Sequence, residues 1–480
     1  MSQPARIHSG GTGLSDRMDR VPVLTRQHRV WLGVLAALLF FDMADLNSFA
    51  LVAPAIRDHW NLTLGDVGFI TSASFLGMFA GSIVGGRIAD RMGRKRVIAG
   101  AVAIYSAFSL ASAFAVGIVD LSIYRVLVGF GLQAMTVVLL TYISEMYPKQ
   151  FRGRIQALVL ACGLLGIPAM AVFARFVVPR DPSGWKWVFV LGAAGIVVAV
   201  IALRVLPESV RWTAANRPSA DAEALVTRIE EDARRRTGTE LPPVEPRPAL
   251  VSGSPRELLR QPLLKRISVL STYMIIVTSA GYGFNAWLPT LLVENGFSTA
   301  QSLSFTSTIA IAACPGALLA TLFIDRIERR TSLLLINVAF GLLLLTFAFA
   351  TDYTVLLVSG ILLILVIYAG NACTYTYLPE VFPTRLRALG AGIGNGAGRV
   401  ATFASTFVIA WALASLGSET VFLCLGVAAF AAAAVIGLLG ERTRNRSLET
   451  ISETIATARP VPAAGPAMLD AAPGIEKQDG

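Results

Sequence analysis

Residues 86–96 read Gly86-Arg87-Ile88-Ala89-Asp90-Arg91-Met92-Gly93-Arg94-Lys95-Arg96. Their charged positions return once: Asp90-Arg91 with Arg94-Lys95 recurs as Asp325-Arg326 with Arg329-Arg330, 235 positions on (325 against 90). A second cluster, Glu145, Pro148 and Arg152, recurs at the same offset as Glu380, Pro383 and Arg387. One match arises easily by chance. Two at one offset point to a duplicated unit.

Apolar runs separate these clusters. A spanning helix needs roughly 20 mostly apolar residues, and such runs lie at 31–55, 67–86, 97–117, 121–143, 155–177, 187–206, 267–293, 303–324, 332–350, 354–377, 390–413 and 420–439. The expected fold is all-α and membrane-embedded: twelve transmembrane helices in two six-helix halves, 31–206 and 267–440. Six spans per unit leave both copies facing the same way, a parallel repeat, and transporters of that build hold solute between the halves near the midplane. Spans four, seven and ten carry polar residues and are expected to line an interior.

Composition agrees. The chain is 54% hydrophobic and 15% charged, against about 45–50% and about 25% for a soluble domain. The net charge is +10, but Lys and Arg sit in short loops beside apolar runs, so the expected partner is the lipid bilayer and not nucleic acid. Alternate loops hold Arg87, Arg91, Arg94, Lys95 and Arg96; Lys149, Arg152 and Arg154; Arg326, Arg329 and Arg330; Arg385 and Arg387. The opposite loops hold only Arg57, Arg180 and Lys186. By the positive-inside rule both termini are cytoplasmic, in a cell (inner or plasma) membrane. Residues 1–30 read as a polar cytoplasmic tail and not as a cleavable signal. Cys162, Cys314, Cys373 and Cys424 all fall in apolar runs, where neither a disulfide nor a metal site is expected.

Residues 207–266 read as a cytoplasmic linker. Ser219 to Arg236 has helical composition, Pro242, Pro243, Pro246 and Pro248 interrupt it, and Ser254-Pro255-Arg256-Glu257 starts a short helix. Residues 441–480 read as a cytoplasmic tail, rich in Ala and Pro and disordered beyond about 456.

At these clusters the chain resembles the major facilitator superfamily, over about residues 30–450. Residues 86–96 are similar to its loop signature between spans two and three. The second copy departs, with Glu328 in the place of Gly93. Pro207-Glu208-Ser209 resembles the turn after span six in sugar porters, and Arg442 to Glu449 weakly resembles their terminal signature. Asp42-Met43-Ala44-Asp45 looks like the D-x-x-D motif of aromatic-acid and related metabolite–proton symporters. Trp287-Leu288-Pro289-Thr290 and Gly398-Arg399 suit that group. The paired glutamines of a sugar porter are absent from Ile276 to Asn285, and span five lacks a drug antiporter's G-P-x-x-G-G element.

Asp42 and Asp45 stand three apart on one helix face, well inside the first run. An unpaired carboxylate at that depth is costly. The pair is expected either to carry a coupling proton or to be neutralised by a nearby Arg, with Asp45, nearer the outer end, merely solvated. Arg125 and Arg399 contribute one cation from each half. Each offers a planar fork that fits a carboxylate, and Arg125 alternatively neutralises Asp42 or Asp45. Tyr282, Asn285 and Trp287 in span seven, with Asn371 and Tyr375 in span ten, are candidate substrate contacts or packing residues. The resemblance implies a cytoplasmic gate built from Gly86, Asp90, Arg91, Gly93, Arg94, Lys95, Glu145 and Arg152, repeated as Asp325, Arg326, Arg329, Glu380 and Arg387. Asp90 would complement a neighbouring helix N-terminus, and Arg94 would bridge to Glu145.

These readings exclude an enzyme: no nucleophile–base pair, phosphate loop or metal cluster appears, so no catalytic residue, cofactor or metal is assigned. The expected function is proton-coupled import of a small organic anion, an aromatic carboxylate among them, by a monomer working through alternating access. Against it stand a facilitator or proton-coupled exporter of a neutral metabolite, sugar or drug, and a transporter-like membrane sensor.

Overall fold

The computed structural model describes residues 12–216, 220–244, 255–324, 326–383 and 386–443. Asp325, Ser219, Pro246, Pro248, Ser254, Arg385 and the tail beyond Thr443 lie outside them. Among the described residues every regular element is a helix, and ten are long and apolar enough to cross a membrane. Span one is Arg26–Trp60, span two Leu64–Met92, span four Ile118–Met146, span five Arg152–Arg180 and span six Trp185–Val205. Spans seven to ten are Leu263–Glu294, Thr299–Phe323, Arg329–Phe349 and Tyr353–Glu380. Arg94–Ser112 is span three; three basic residues in its first turn dilute its apolar length. Arg387–Leu439 is two spans joined at Gly417, whose φ of 81° and ψ of 170° reverse the chain in one residue. Twelve helices result.

Several helices outrun the apolar runs that predict them. Span two has 29 residues, about 43 Å at 1.5 Å per residue, against a hydrocarbon core of about 30 Å. Its charged end therefore projects past the lipid. Span one begins at Arg26 and not near 31, because Thr25 and His28 cap it reciprocally. It breaks at Asn47 and resumes as Ser48–Trp60. The linker helix runs Ala220–Thr237, and Pro255–Leu259 forms a 3-10 turn. Thr12–Asp19 is helical too, with Met18 and Val21 buried, so part of the expected tail is packed structure.

Small residues set the close approach of spans two and four. A Cβ on Gly85 would lie 2.7 Å from that of Ala134, and one on Gly77 2.8 Å from the Val126 carbonyl carbon. Glycine at these positions lets the backbones touch, and that contact brings Ser74 to Arg125.

The apolar core shows how the halves sit. At the face away from the termini, one continuous cluster takes Phe49, Trp185, Trp287, Phe305 and Phe422 from both halves. At the face bearing the described termini the core is two separate clusters. One is built around Tyr142 and Met146, the other around Tyr273 and Phe382. The far face is thus closed. Arg57 at the end of span one pairs there with Glu294 at the end of span seven, and Gly68 packs under Trp287 and Thr406.

Candidate functional site

Span one's two carboxylates have different surroundings. Asp42 is 2% exposed; its Oδ2 accepts from the Thr136 hydroxyl at 3.0 Å, and its Oδ1 has no partner among the described residues. Asp45 is fully buried and accepts from Ser109 Oγ at 2.8 Å. The expectation of a merely solvated Asp45 fails because spans three and six close over it: Gly192 stands so near that a Cβ there would lie 2.9 Å from the Asp45 Cγ.

Arg125, 1% exposed, donates from Nε to Ser74 Oγ at 3.1 Å and from Nη1 to Ser48 Oγ at 3.2 Å, and its Cζ lies 5.9 Å from the Phe189 ring centroid. Its charged neighbour is Asp45. Arg125 therefore turns into the N-terminal half, towards Ser48, Ser74 and Asp45.

Arg399 sits differently. It is 9% exposed and donates from Nη1 to the Tyr282 hydroxyl at 3.1 Å, with Cζ 5.3 Å from that ring. A guanidinium has five N–H donors, and Tyr282 is its only hydrogen-bond partner among the described residues. Tyr282 bridges the halves by an edge contact with Phe75 of span two, centroids 5.5 Å apart. Asp42 is the charged group facing Arg399 from the other half, and Tyr375 adjoins it from span ten. Tyr375 is 49% exposed. Arg399, Tyr282, Tyr375 and Asp42 thus form one cluster between the halves.

Other candidates lie apart from it. Trp287 is buried in the far-face closure, near Gly68 of span two, which itself packs tightly on Ala410 and Thr406. Asn371 is exposed one turn from Tyr375. Asn285 lies one turn beyond Tyr282 and lines a cavity of about 30 Å³ with Asn47, Thr306 and Tyr368. Thr136, Ser109 and Tyr368 escaped the sequence reading: a hydroxyl in an apolar run gives no sign of which helix it faces.

At the termini face, Arg94 donates from Nη2 to Glu145 Oε1 at 3.0 Å, its Nε lies 2.9 Å from Glu145 Oε2 in the same ion pair, and it pairs with Asp90 at 3.0 Å. Asp90 is itself exposed, and among the described residues no helix N-terminus is its partner. Glu208 serves that end instead: its Oε1 accepts from the backbone N–H of Arg94 at 2.7 Å and of Lys95 at 3.1 Å. Ser209 donates to Glu145, and Tyr142 donates to the Pro207 carbonyl at 2.9 Å. Gly86 is half-buried and Arg91 is exposed here. Gly93, with φ of 98°, leaves the space that Glu208 fills.

The second half repeats the plan with one exchange. Arg329 pairs with Glu380 at 3.3 Å, Thr443 donates to Glu380 at 2.9 Å, and Tyr377 donates to the Glu441 carbonyl at 2.8 Å. Glu328, in the place of Gly93, accepts from the Thr443 N–H at 2.9 Å. The carboxylate that span six's exit supplies in the first half comes from the loop position in the second. Arg326 is exposed and Arg387 opens span eleven. Arg152 binds Asp19 of the N-terminal segment at 2.6 Å and donates to the Tyr147 carbonyl at the end of span four at 2.8 Å.

The comparisons with known proteins agree with this architecture. The family model described as "Sugar (and other) transporter" matches residues 34–455. A putative metabolite transport protein, YyaJ of Bacillus subtilis, is 32% identical over 90% of this chain and 96% of its own length. The niacin transporter NiaP of Acinetobacter baylyi is 30% identical over 91% and 99%. The benzoate transport protein of the same organism is 26% identical over 84% and 88%. Among solved structures, the inward open conformation of the xylose transporter XylE from E. coli superimposes with a TM-score of 0.71 at 16% identity, covering 89% of this chain and 99% of that one. The chain belongs to the sugar (and other) transporter family of the major facilitator superfamily: it is a multi-pass membrane transporter of small molecules and not an enzyme.

Proposed function

We propose that this protein imports a small aromatic carboxylate together with a proton, as a monomer in the inner or plasma membrane with both termini cytoplasmic. The observation that carries the reading is Arg399: a permanent charge between the halves, with donors left over beyond its bond to Tyr282. A carboxylate satisfies two of them at once in the bidentate geometry that guanidinium favours. Aromatic side chains flank the site at Tyr282, Phe75 and Tyr375. Relatives described as niacin and benzoate transporters carry ring-bearing acids.

Coupling follows from Asp42. In this reading Asp42, which faces Arg399 from the other half, is ionised before substrate arrives. Two anions beside one guanidinium in a dry site are costly. An arriving carboxylate takes over Arg399, and Asp42 with its free Oδ1 takes up a proton. One proton then enters per monovalent anion. Closure of the far face by Arg57–Glu294, with separate cores at the termini face, corresponds to the cytoplasm-facing stage of the cycle. The test is uptake of radiolabelled benzoate and nicotinate into proteoliposomes under an imposed proton gradient. Gradient-driven accumulation supports the reading; uptake that only equilibrates, whatever the gradient, rejects coupling.

A further inference from the structure

Tyr105 of span three is fully buried, and its hydroxyl has no hydrogen-bond partner among the described residues. The adjoining Ser106 hydroxyl has none either. A donor buried unsatisfied is costly, and native structures keep few of them. Small residues hold this one where it is. A Cβ on Gly131 of span four would lie 2.8 Å from the Tyr105 Cβ, and one on Gly195 of span six 3.0 Å from its Cζ and closer still to the hydroxyl. Glycine on both neighbours lets the phenol reach the backbone of span six.

Two layers of polar groups meet there. Ser109, one turn beyond Tyr105 on span three, donates to Asp45 Oδ1 beside Gly192. Gly195 follows Gly192 by three residues on span six, which runs the opposite way, so Tyr105 stands one turn nearer the termini face. Asp42 precedes Asp45 by three residues on span one and is displaced in the same direction. The phenol thus adjoins both carboxylates. Each keeps one oxygen without a partner among the described residues, Asp42 Oδ1 and Asp45 Oδ2. The other charged groups facing this layer are Arg125 from span four and Arg399 from span eleven. Asp45 has Ser109 and Arg125 beside it, whereas Asp42 is bonded only by Thr136.

From this we infer that Tyr105 is a positioning residue of the proton site. A phenol has one donor and serves one carboxylate at a time. Its hydroxyl donates to Asp42 when that carboxylate is ionised, and turns to Asp45 when Asp42 carries the proton. On the cytoplasmic side the Asp42 O–H bond breaks, the proton passes to water, and the Tyr105 O–H replaces it against the carboxylate; no bond within Tyr105 breaks. The inference rests on the coupling reading of Asp42.

The experiment compares two fluxes of radiolabelled benzoate and nicotinate in proteoliposomes bearing the wild type or Tyr105→Phe, which keeps the ring and its packing. Net uptake under an imposed proton gradient requires Asp42 to release its proton inside. Exchange of labelled for unlabelled substrate does not. One hydrogen bond to a charged group is worth about tenfold or more, so net uptake by Tyr105→Phe should fall by that factor while exchange stays within about twofold of the wild type. The deficit should close as the lumenal pH is raised by about one unit, which no packing defect would do. Gly195→Ala, whose new methyl displaces the hydroxyl, should show the same split. Net uptake and exchange that fall together, or net uptake that does not change, overturn the role of Tyr105 and leave Asp42 standing as the carrier. A wild type whose accumulation ignores the gradient overturns the coupling reading and the inference with it.

Discussion

Gly93→Ala tests whether the turn at the termini face depends on its missing side chain. The native φ of 98° and ψ of 156° fall where only glycine is at ease, and another residue there costs about 1–3 kcal/mol. The new Cβ would also lie 2.7 Å from the Glu208 Cδ. Glu208 must then retreat from the Arg94 and Lys95 N–H groups, forfeiting a helix cap worth about 1 kcal/mol. Together these give a loss of about 2–4 kcal/mol, concentrated where span three, span six and the Arg94–Glu145 pair meet. Thermal unfolding of the detergent-purified variant should move down by several degrees, and uptake in proteoliposomes should fall with it. Glu328→Gly, the reverse exchange in the second half, starts from an ordinary φ of −56°; it forfeits the bond to Thr443 without any comparable backbone strain. If Gly93→Ala unfolds and transports like the wild type, Glu208 is not held as described and the clamp argument is wrong.

Further outcomes follow from other contacts. Asp42→Asn removes the proton carrier but keeps a partner for Thr136, so gradient-driven accumulation should vanish while exchange of labelled for unlabelled substrate persists; accumulation at the wild-type level would exclude Asp42 from coupling. Glu294→Gln breaks the pair with Arg57 that closes the far face, so a cysteine placed near Asn61 should label faster from outside, and an unchanged rate would deny the pair a gating role. At Glu230, burial raises the carboxyl, but hydrogen bonds and charge from Arg17 and Arg20 outweigh it and hold the group below its usual range. A depressed folded value stabilises fully above the ordinary glutamate value of about 4.3 and is lost as pH falls through the folded one. The protection factor of the amides around Val21, measured against intrinsic exchange at each pH, should therefore be flat from pH 8 to 5 and fall below about 4, whereas Glu230→Gln should lower it throughout.

The fold was legible where the signal is local or repeated. Apolar length marks the spans, and the offset of 235 residues predicts that Arg94 and Arg329 hold equivalent places. The structure adds that Tyr142 and Tyr377, and Ser209 and Thr443, also match in their bonds. Sequence does not say which neighbour a buried group meets. Arg125 and Arg399 look alike along the chain, yet one is spent on serines and a nearby acid while the other, among the described residues, bonds only Tyr282. Trp287 reads as a pocket aromatic until Gly68, over 200 positions away, is seen beneath it. Asp19 and Arg152 meet across more than 130 positions, a contact that no periodicity announces.

The central claim is that Arg399 receives the substrate's carboxylate, and equilibrium binding tests it most directly. Benzoate and nicotinate, with benzyl alcohol as the uncharged analogue, are titrated against the wild-type protein, Arg399→Lys and Arg399→Ala. Lysine keeps the charge and loses the planar fork, so affinity for the acids should fall at lysine and fall further at alanine, while the alcohol is nearly unaffected. Equal losses for acid and alcohol would show that Arg399 only holds the structure together, and would contradict the carboxylate site.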